Sequence, residues 1–266
     1  KLAYLLPAVS FASVSKNMLL FTVYKWRKFE VFFMIPDHLT YLFLNLVTIA
    51  GPLALSFDKK VAFYKNWKPF TLSMLATSTL YIVWDIWFTK SNVWLFNPQF
   101  LCGKWFANLP LEEYIFFIII PYACLFIYAC LKAYLPNFSF NKALKPIVIS
   151  LMAIGLIAIA INPSHLYTTI TFGFLFITLS ALLLTRHTAH LSHIILAWII
   201  ALLPMAYVNG VLTSKPVLIY NDAQNLGIRI GTIPIEDFFY NMVYMLWMIT
   251  VYEILRKKHK TTPSKS

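Results

Sequence analysis

LPLEEYIFFIIIPYACLFIY, residues 109–128, and IPIEDFFYNMVYMLW, residues 233–247, decide how this chain folds. Each has a proline at its second position, an acidic pair two residues on and then an aromatic residue, and runs into an apolar stretch too long for an ordinary strand. When the sequence is laid on itself so that Glu112 falls on Glu236, the register holds without a gap. Asp85 then meets Asn209, Leu95 meets Ile219, Phe96 meets Tyr220 and Asn97 meets Asn221. Gly103 meets Gly227, Pro110 meets Pro234, Glu113 meets Asp237, Phe116 meets Tyr240 and Phe117 meets Asn241. The chain contains a duplication, and the two motifs are its best-kept part.

Composition places both copies in lipid. Of 266 residues, 60% are hydrophobic and 12% charged, and the mean hydropathy is +0.70, which leaves too little polar surface for a soluble domain. Runs at 39–57, 70–88, 111–131, 143–161, 166–184, 191–208 and 235–255 have the length of a membrane span. They lack the alternation of a membrane barrel, so the fold is expected to be an all-α integral membrane protein of about seven transmembrane helices. Each copy has three spans, and an odd number would turn the second copy over unless one more helix intervened. Residues 143–161 supply that helix, and the expectation is a parallel 3+1+3 internal repeat with an approximate axis along the membrane normal. The expected division is an N-terminal extension over 1–37, repeats at 38–135 and 163–256, a linking helix within 136–162 and a basic tail at 257–266.

The net charge of +12 is better explained by a membrane face than by nucleic acid, which is not an expected partner. With about seven spans, Lys59, Lys60, Lys65, Lys68, Lys132, Lys142, Lys145, Arg186 and the tail Arg256, Lys257, Lys258, Lys260 and Lys265 fall on one side. That side is expected to be cytoplasmic, with the C-terminus, in a multi-pass protein of the cell inner membrane. Asp85, Glu112, Glu113, Asp222, Glu236 and Asp237 gather on the other. Lys25, Arg27 and Lys28 fit this scheme badly, and 1–33, ahead of Met34, reads as an extension dispensable for function. Cys102, Cys124 and Cys130 offer no disulfide framework. His187, His190 and His193 can share a helical face, but no acid or cysteine is near them in sequence; an interfacial polar turn is the preferred reading over a metal site, and no metal is expected.

Pro110 and Pro234 suit a first helical turn, which puts each acidic pair at the positive end of its helix. Helix capping is the bland explanation for one such pair. Two pairs in register inside a lipid-embedded protein point instead to chemistry, since carboxyls there are costly. Neighbouring helical positions diverge by about 100°, so one acid of each pair can face the bundle while the other faces a loop. A carboxylic acid beside a carboxylate, among aromatics that stabilise cations, can protonate a weak base and then remove a different proton. Trp84, Trp87, Trp94, Trp105, Tyr114, Phe116, Phe117, Phe238, Phe239 and Tyr240 are near enough in sequence to serve, although an interfacial belt accounts for most of the tryptophans.

WDIWFTKSNVWLFNP (84–98) followed by LPLEEYIFFIIIPYACLFIY, with the weaker echo GIRIGTIPIEDFFYNMVYMLW (227–247), resembles the heterodimer-type lycopene β-cyclases, here with both halves in one chain. The likeness covers about residues 38–256. It implies a redox-neutral isomerisation that closes each linear end of lycopene into a β-ionone ring, giving β-carotene by way of γ-carotene. An acid protonates C2, the C1 cation is attacked by the C5=C6 bond, and a base removes the C6 proton. The resemblance assigns acid and base work to Glu112, Glu113, Glu236 and Asp237 without saying which does which, adds Asp85, and makes Trp84, Phe116, Phe117, Phe239, Tyr240 and Asn209 candidate substrate-lining residues. It implies the lipid bilayer and a carotenoid as partners, with association to other carotenoid-pathway enzymes, and requires no cofactor. No glycine-rich dinucleotide fingerprint stands in the sequence. A C50 or one-ended cyclase is the nearest alternative, a 3+1+3 transporter a more distant one. A retinal protein would need a lysine in the last span, and 235–255 has none.

Overall fold

The computed structural model describes residues 35–185 and 188–261. The proposed extension over 1–33, Met34, Arg186, His187 and residues 262–266 of the basic tail lie outside them. Among the described residues there are seven α-helices: α1 (Thr40–Leu55), α2 (Trp67–Lys90), α3 (Leu111–Tyr134), α4 (Leu144–Ile161), α5 (Leu166–Leu184), α6 (Leu191–Ser214) and α7 (Ile235–Thr261). Six of them are long and apolar enough to cross a membrane. The other, α2, has 24 residues, about 36 Å at a rise of about 1.5 Å per residue. Its hydropathy is diluted by Ser73, Thr77, Ser78 and Asp85, all of which are buried, while Leu72, Leu75, Leu80 and Val83 face outward. An apolar outer face with polar groups turned inward suits a bundle solvated by lipid, so α2 crosses with the rest.

The helices pack as two equivalent sets of three. Helix α1 lies on α3 as α5 lies on α7; α2 lies on α3 as α6 lies on α7. Between the sets, α2 packs on α7 and α6 on α3, with α3 and α7 also in contact. Exchanging the units leaves this pattern unchanged, as a two-fold axis between α3 and α7 requires. Two short strands mark that axis. Strand β1 (Trp94–Phe96) follows α2 and pairs antiparallel with β4 (Leu218–Tyr220), which follows α6, so that Trp94 meets Tyr220, Leu95 meets Ile219 and Phe96 meets Leu218. Leu95 and Ile219 are also partners in the sequence duplication, so the axis passes between them. Flanking bonds repeat the symmetry: Asn97 N–H donates to Val217 O and Asn221 N–H to Val93 O, both at 2.9 Å. Equivalent strands at one end of the bundle place the two units the same way up, which makes the repeat parallel.

The stretch before each acidic motif folds as a small hairpin rather than an irregular loop. Strand β2 (Trp105–Phe106) pairs with β3 (Leu109–Pro110), and β5 (Arg229–Ile230) with β6 (Ile233–Pro234). Pro110 and Pro234 therefore close a strand one residue ahead of the helix instead of standing in its first turn. Gly103 and Gly227, at φ +80° and +69°, begin the approach to these hairpins in the left-handed region, where a side chain is disfavoured.

Helix α4 packs chiefly on α5, closely enough at Gly155 that an added Cβ would sit 3.5 Å from Phe172. At the end opposite the strands, Lys60 Nζ lies 4.0 Å above the Tyr134 ring. Buried Glu253 accepts from Tyr128 at 2.7 Å and Arg256 at 2.9 Å, and His190 Nε2 lies 3.6 Å from it. The histidine turn thus does have an acid beside it, brought from α7 across the bundle, while His193 Nε2 meets Leu135 O at 2.8 Å.

Candidate active site

The two acids of each motif part company at the first turn of their helices. Glu112 and Glu236 turn back toward the preceding loops, where Glu112 Oε1 accepts from Cys102 N–H at 2.6 Å and Glu236 Oε1 from Leu226 N–H at 2.8 Å. Thr168 donates a further bond to Glu236 Oε1 at 2.7 Å. Both glutamates are fully buried. Their bonds fasten loop to helix in the same way in the two units, as helix N-terminal acids commonly do. Removing one such acceptor strands a buried N–H, which costs about 1–3 kcal/mol. Glu112→Ala is therefore expected to lower thermal stability in detergent, with activity per folded molecule retained; a variant as stable as the parent would refute this anchoring role.

Glu113 and Asp237, one position on, face a cavity of about 1000 Å³ counting its mouth, whose lining comes from α1, α2, α3, α5, α6, α7 and the paired strands. Asp85 and Asn209, duplication partners on α2 and α6, line it as well. On α3 the lining runs from Glu113 to Ile127, about 21 Å along the helix axis. Beyond the acids the walls are almost wholly apolar, including Phe116, Phe117, Ile120, Met205 and Val208. Tyr240 and Tyr244 on α7 complete one side. The result is a long apolar slot with carboxyls at one end.

The two halves arrange their carboxyls differently. In the first, two carboxyls, Asp85 and Glu113, line the cavity together. Glu113 Oε2 accepts from the Tyr41 hydroxyl at 2.5 Å, and Asp85 Oδ1 from the Trp94 indole at 2.7 Å. No N–H or O–H of the described residues reaches Asp85 Oδ2. In the second half an amide replaces one carboxyl. Asp237 Oδ2 accepts from Asn209 Nδ2 at 3.0 Å and the Tyr220 hydroxyl at 2.8 Å, and Oδ1 from the Tyr167 hydroxyl at 2.7 Å. Burial first, and then the Asp237 carboxylate, push the Tyr220 hydroxyl well above its ordinary range, so it stays protonated and remains a donor.

Of the aromatic candidates, Phe116, Phe117 and Tyr240 line the cavity. Trp84 packs instead against Phe174 and Tyr240, with ring centroids 5.1 and 5.0 Å away, and Phe239 lies against Phe172 at 4.8 Å; both stand outside the lining. Trp87 and Trp105 are exposed, as an interfacial belt requires, whereas Trp84 and Trp94 are buried. Tyr41, Tyr167 and Tyr220 were not evident as site residues from the sequence. Tyr220 shares a column with Phe96, which has no hydroxyl. Tyr41 and Tyr167 occupy matching places on α1 and α5 but lie out of the register that pairs Glu112 with Glu236, so only a gapped comparison would align them.

A family model described as lycopene cyclase matches residues 38–131 and 164–255. The matched regions carry α1–α3 and α5–α7 and pass over α4. No curated protein matches the chain, nor does any solved structure. Two matches to one family, each ending on a helix that opens with the acidic motif and together covering most of the sequence, have one meaning: the chain belongs to the lycopene cyclase family.

Proposed function

We propose that this cyclase is a lycopene β-cyclase, an isomerase that closes both linear ends of lycopene to β-ionone rings and yields β-carotene by way of γ-carotene. The observation that carries the proposal is the meeting of Asp85, Glu113 and Asp237 at one end of a long apolar cavity. A linear hydrocarbon end enters such a slot without leaving polar groups unpaired, and its terminal alkene arrives at the carboxyls.

Asp85 and Glu113 bring two carboxyls to the same end of the cavity, where one proton shared by the two would be retained at neutral pH; this pair is the acid. It delivers that proton to C2, which leaves a cation at C1. The C5=C6 electrons then form the C1–C6 bond and move the cation to C5. Asp237, with three of its lone-pair positions taken by donors and one free, takes the C6 proton as the base, and the C5=C6 double bond returns. One proton enters and one leaves, with no change in oxidation state. The faces of Phe116, Phe117 and Tyr240 stabilise the passing cation. The tyrosines around Asp237 fix its orientation, and the proton that Asp237 takes returns to the Asp85–Glu113 pair before the next closure, so that the enzyme ends as it began. The face carrying the lysines is assigned to the cytoplasm, which puts the acids near the opposite surface of the inner membrane.

The test is pigment chromatography of lycopene-accumulating bacterial membranes with and without the chain. β-Carotene is the expected product. γ-Carotene alone would indicate one-ended closure, and unchanged lycopene with correctly inserted protein would overturn the proposal.

A further inference from the structure

The two-fold relation generates a second groove from the first, and that second groove is filled. Away from the acids the open cavity is walled chiefly by α1, α3 and α6, with α7 along one side, so its equivalent lies among α5, α7 and α2, with α3 along one side. Positions that leave room in one are occupied by rings in the other. Met205, Val208 and Leu212 on α6 line the open cavity; their duplication partners on α2 are Tyr81, Trp84 and Phe88, all buried. Ala123 on α3 corresponds to Trp247 on α7. In the register that matches Tyr41 with Tyr167, Thr48 on α1 corresponds to Phe174 on α5. These rings pack on one another: Trp84 on Phe174 at 5.1 Å, Phe174 on Trp247 at 5.3 Å and Tyr81 on Trp247 at 5.7 Å. A hydrocarbon chain has no path through them, because a close-packed aromatic cluster leaves no space of that width.

The acids follow the same asymmetry. Asp237 is the partner of Glu113 and would serve the filled groove in a symmetric protein, yet it lines the open one together with Glu113. Both units therefore give their acids to one chamber, and the second unit's aromatics have become its wall.

Resting on the cyclase reading above, we infer that the duplicated chain has a single reaction chamber, on the α3–α6 side, and that the two ends of its linear C40 substrate are closed one after the other, with withdrawal and reversal between closures. The ends of an extended polyene lie far apart, so one slot cannot hold both at the acids. Each closure adds a proton at C2 and removes one from C6 with the same three carboxyls.

The experiment imports the closed groove's residues into the open one. Val208→Trp and Ala123→Trp, read by pigment chromatography against inserted, monodisperse protein, are expected to lower monocyclic and bicyclic products together by about tenfold or more. An inserted variant that still makes monocyclic product at the parental rate would overturn the single chamber. If neither variant inserts, the unmodified chain decides. After a pulse of labelled lycopene, excess unlabelled lycopene should trap much of the label as monocycle, because each half-cyclised molecule must leave and compete for re-entry. Label that passes to the bicyclic product undiminished would overturn the inference. Failure of the unmodified chain to cyclise lycopene at all would sink the cyclase reading instead, a separate outcome.

Discussion

Glu113→Gln is expected to leave a chain that inserts normally and forms almost no ring. Glutamine preserves the length of the side chain and still accepts from Tyr41, so the packing of α1 on α3 survives. What it cannot do is carry an exchangeable proton between itself and Asp85 and give that proton to an alkene. Loss of a positioned general acid costs about a hundred- to ten-thousandfold in rate. Alkene protonation is demanding because the product is a carbocation in an apolar slot, which places the expectation toward the upper part of that range. The readout is cyclised pigment per inserted protein. A variant within about tenfold of the parent would show that Glu113 is not the acid.

Asp237→Asn should have a comparable effect on rate and an additional effect on stability. In the parent, Asp237 Oδ2 receives bonds from Asn209 and Tyr220. An amide nitrogen placed there would face the Asn209 amide donor to donor, and a buried mismatch of that kind costs about 1–3 kcal/mol. Adding Asn209→Asp restores an acceptor opposite the new amide. The double variant is therefore expected to recover thermal stability without activity, because the carboxylate has moved from α7 to α6. Recovery of both would mean that the base can act from either helix; recovery of neither would mean that the Asn209–Asp237 bond is not what holds this side of the cavity.

Much of this protein could be read from its sequence, for physical reasons specific to each feature. The seven helices were legible because lipid enforces a minimum apolar length. The duplication was legible because hairpin, strand and acidic motif all lie in one ungapped segment. The number of helices per unit then fixed the need for α4. That Glu113 and Asp237, not Glu112 and Glu236, face the cavity was not legible: adjacent positions on a helix diverge by a known angle, but the direction of the bundle is set by tertiary contacts. Cys102 N–H and Leu226 N–H claim the first acid of each pair, and nothing in the motif announces those donors. Tyr41 and Tyr167 were hidden by a change of register between α1 and α5. Asp85 was visible as a polar residue in a span, yet its place beside Glu113 in the cavity lining depends on how α2 packs on α3. The filled groove was hidden for a different reason. Tyr81, Trp84 and Trp247 look like any membrane aromatics until the two-fold axis shows which residues they replace.

Helix α4 passes outside both matched regions, packs chiefly on one neighbour and contributes nothing to the cavity lining. Its task is to restore orientation, so that the second three-helix unit enters the membrane facing the same way as the first. That task constrains crossing length and oiliness and little else; even at Gly155 an added Cβ would make only ordinary contact with Phe172. Mutational drift should therefore run faster through 144–161 than through any other helix, and an unrelated hydrophobic helix of equal span grafted in its place should serve as well.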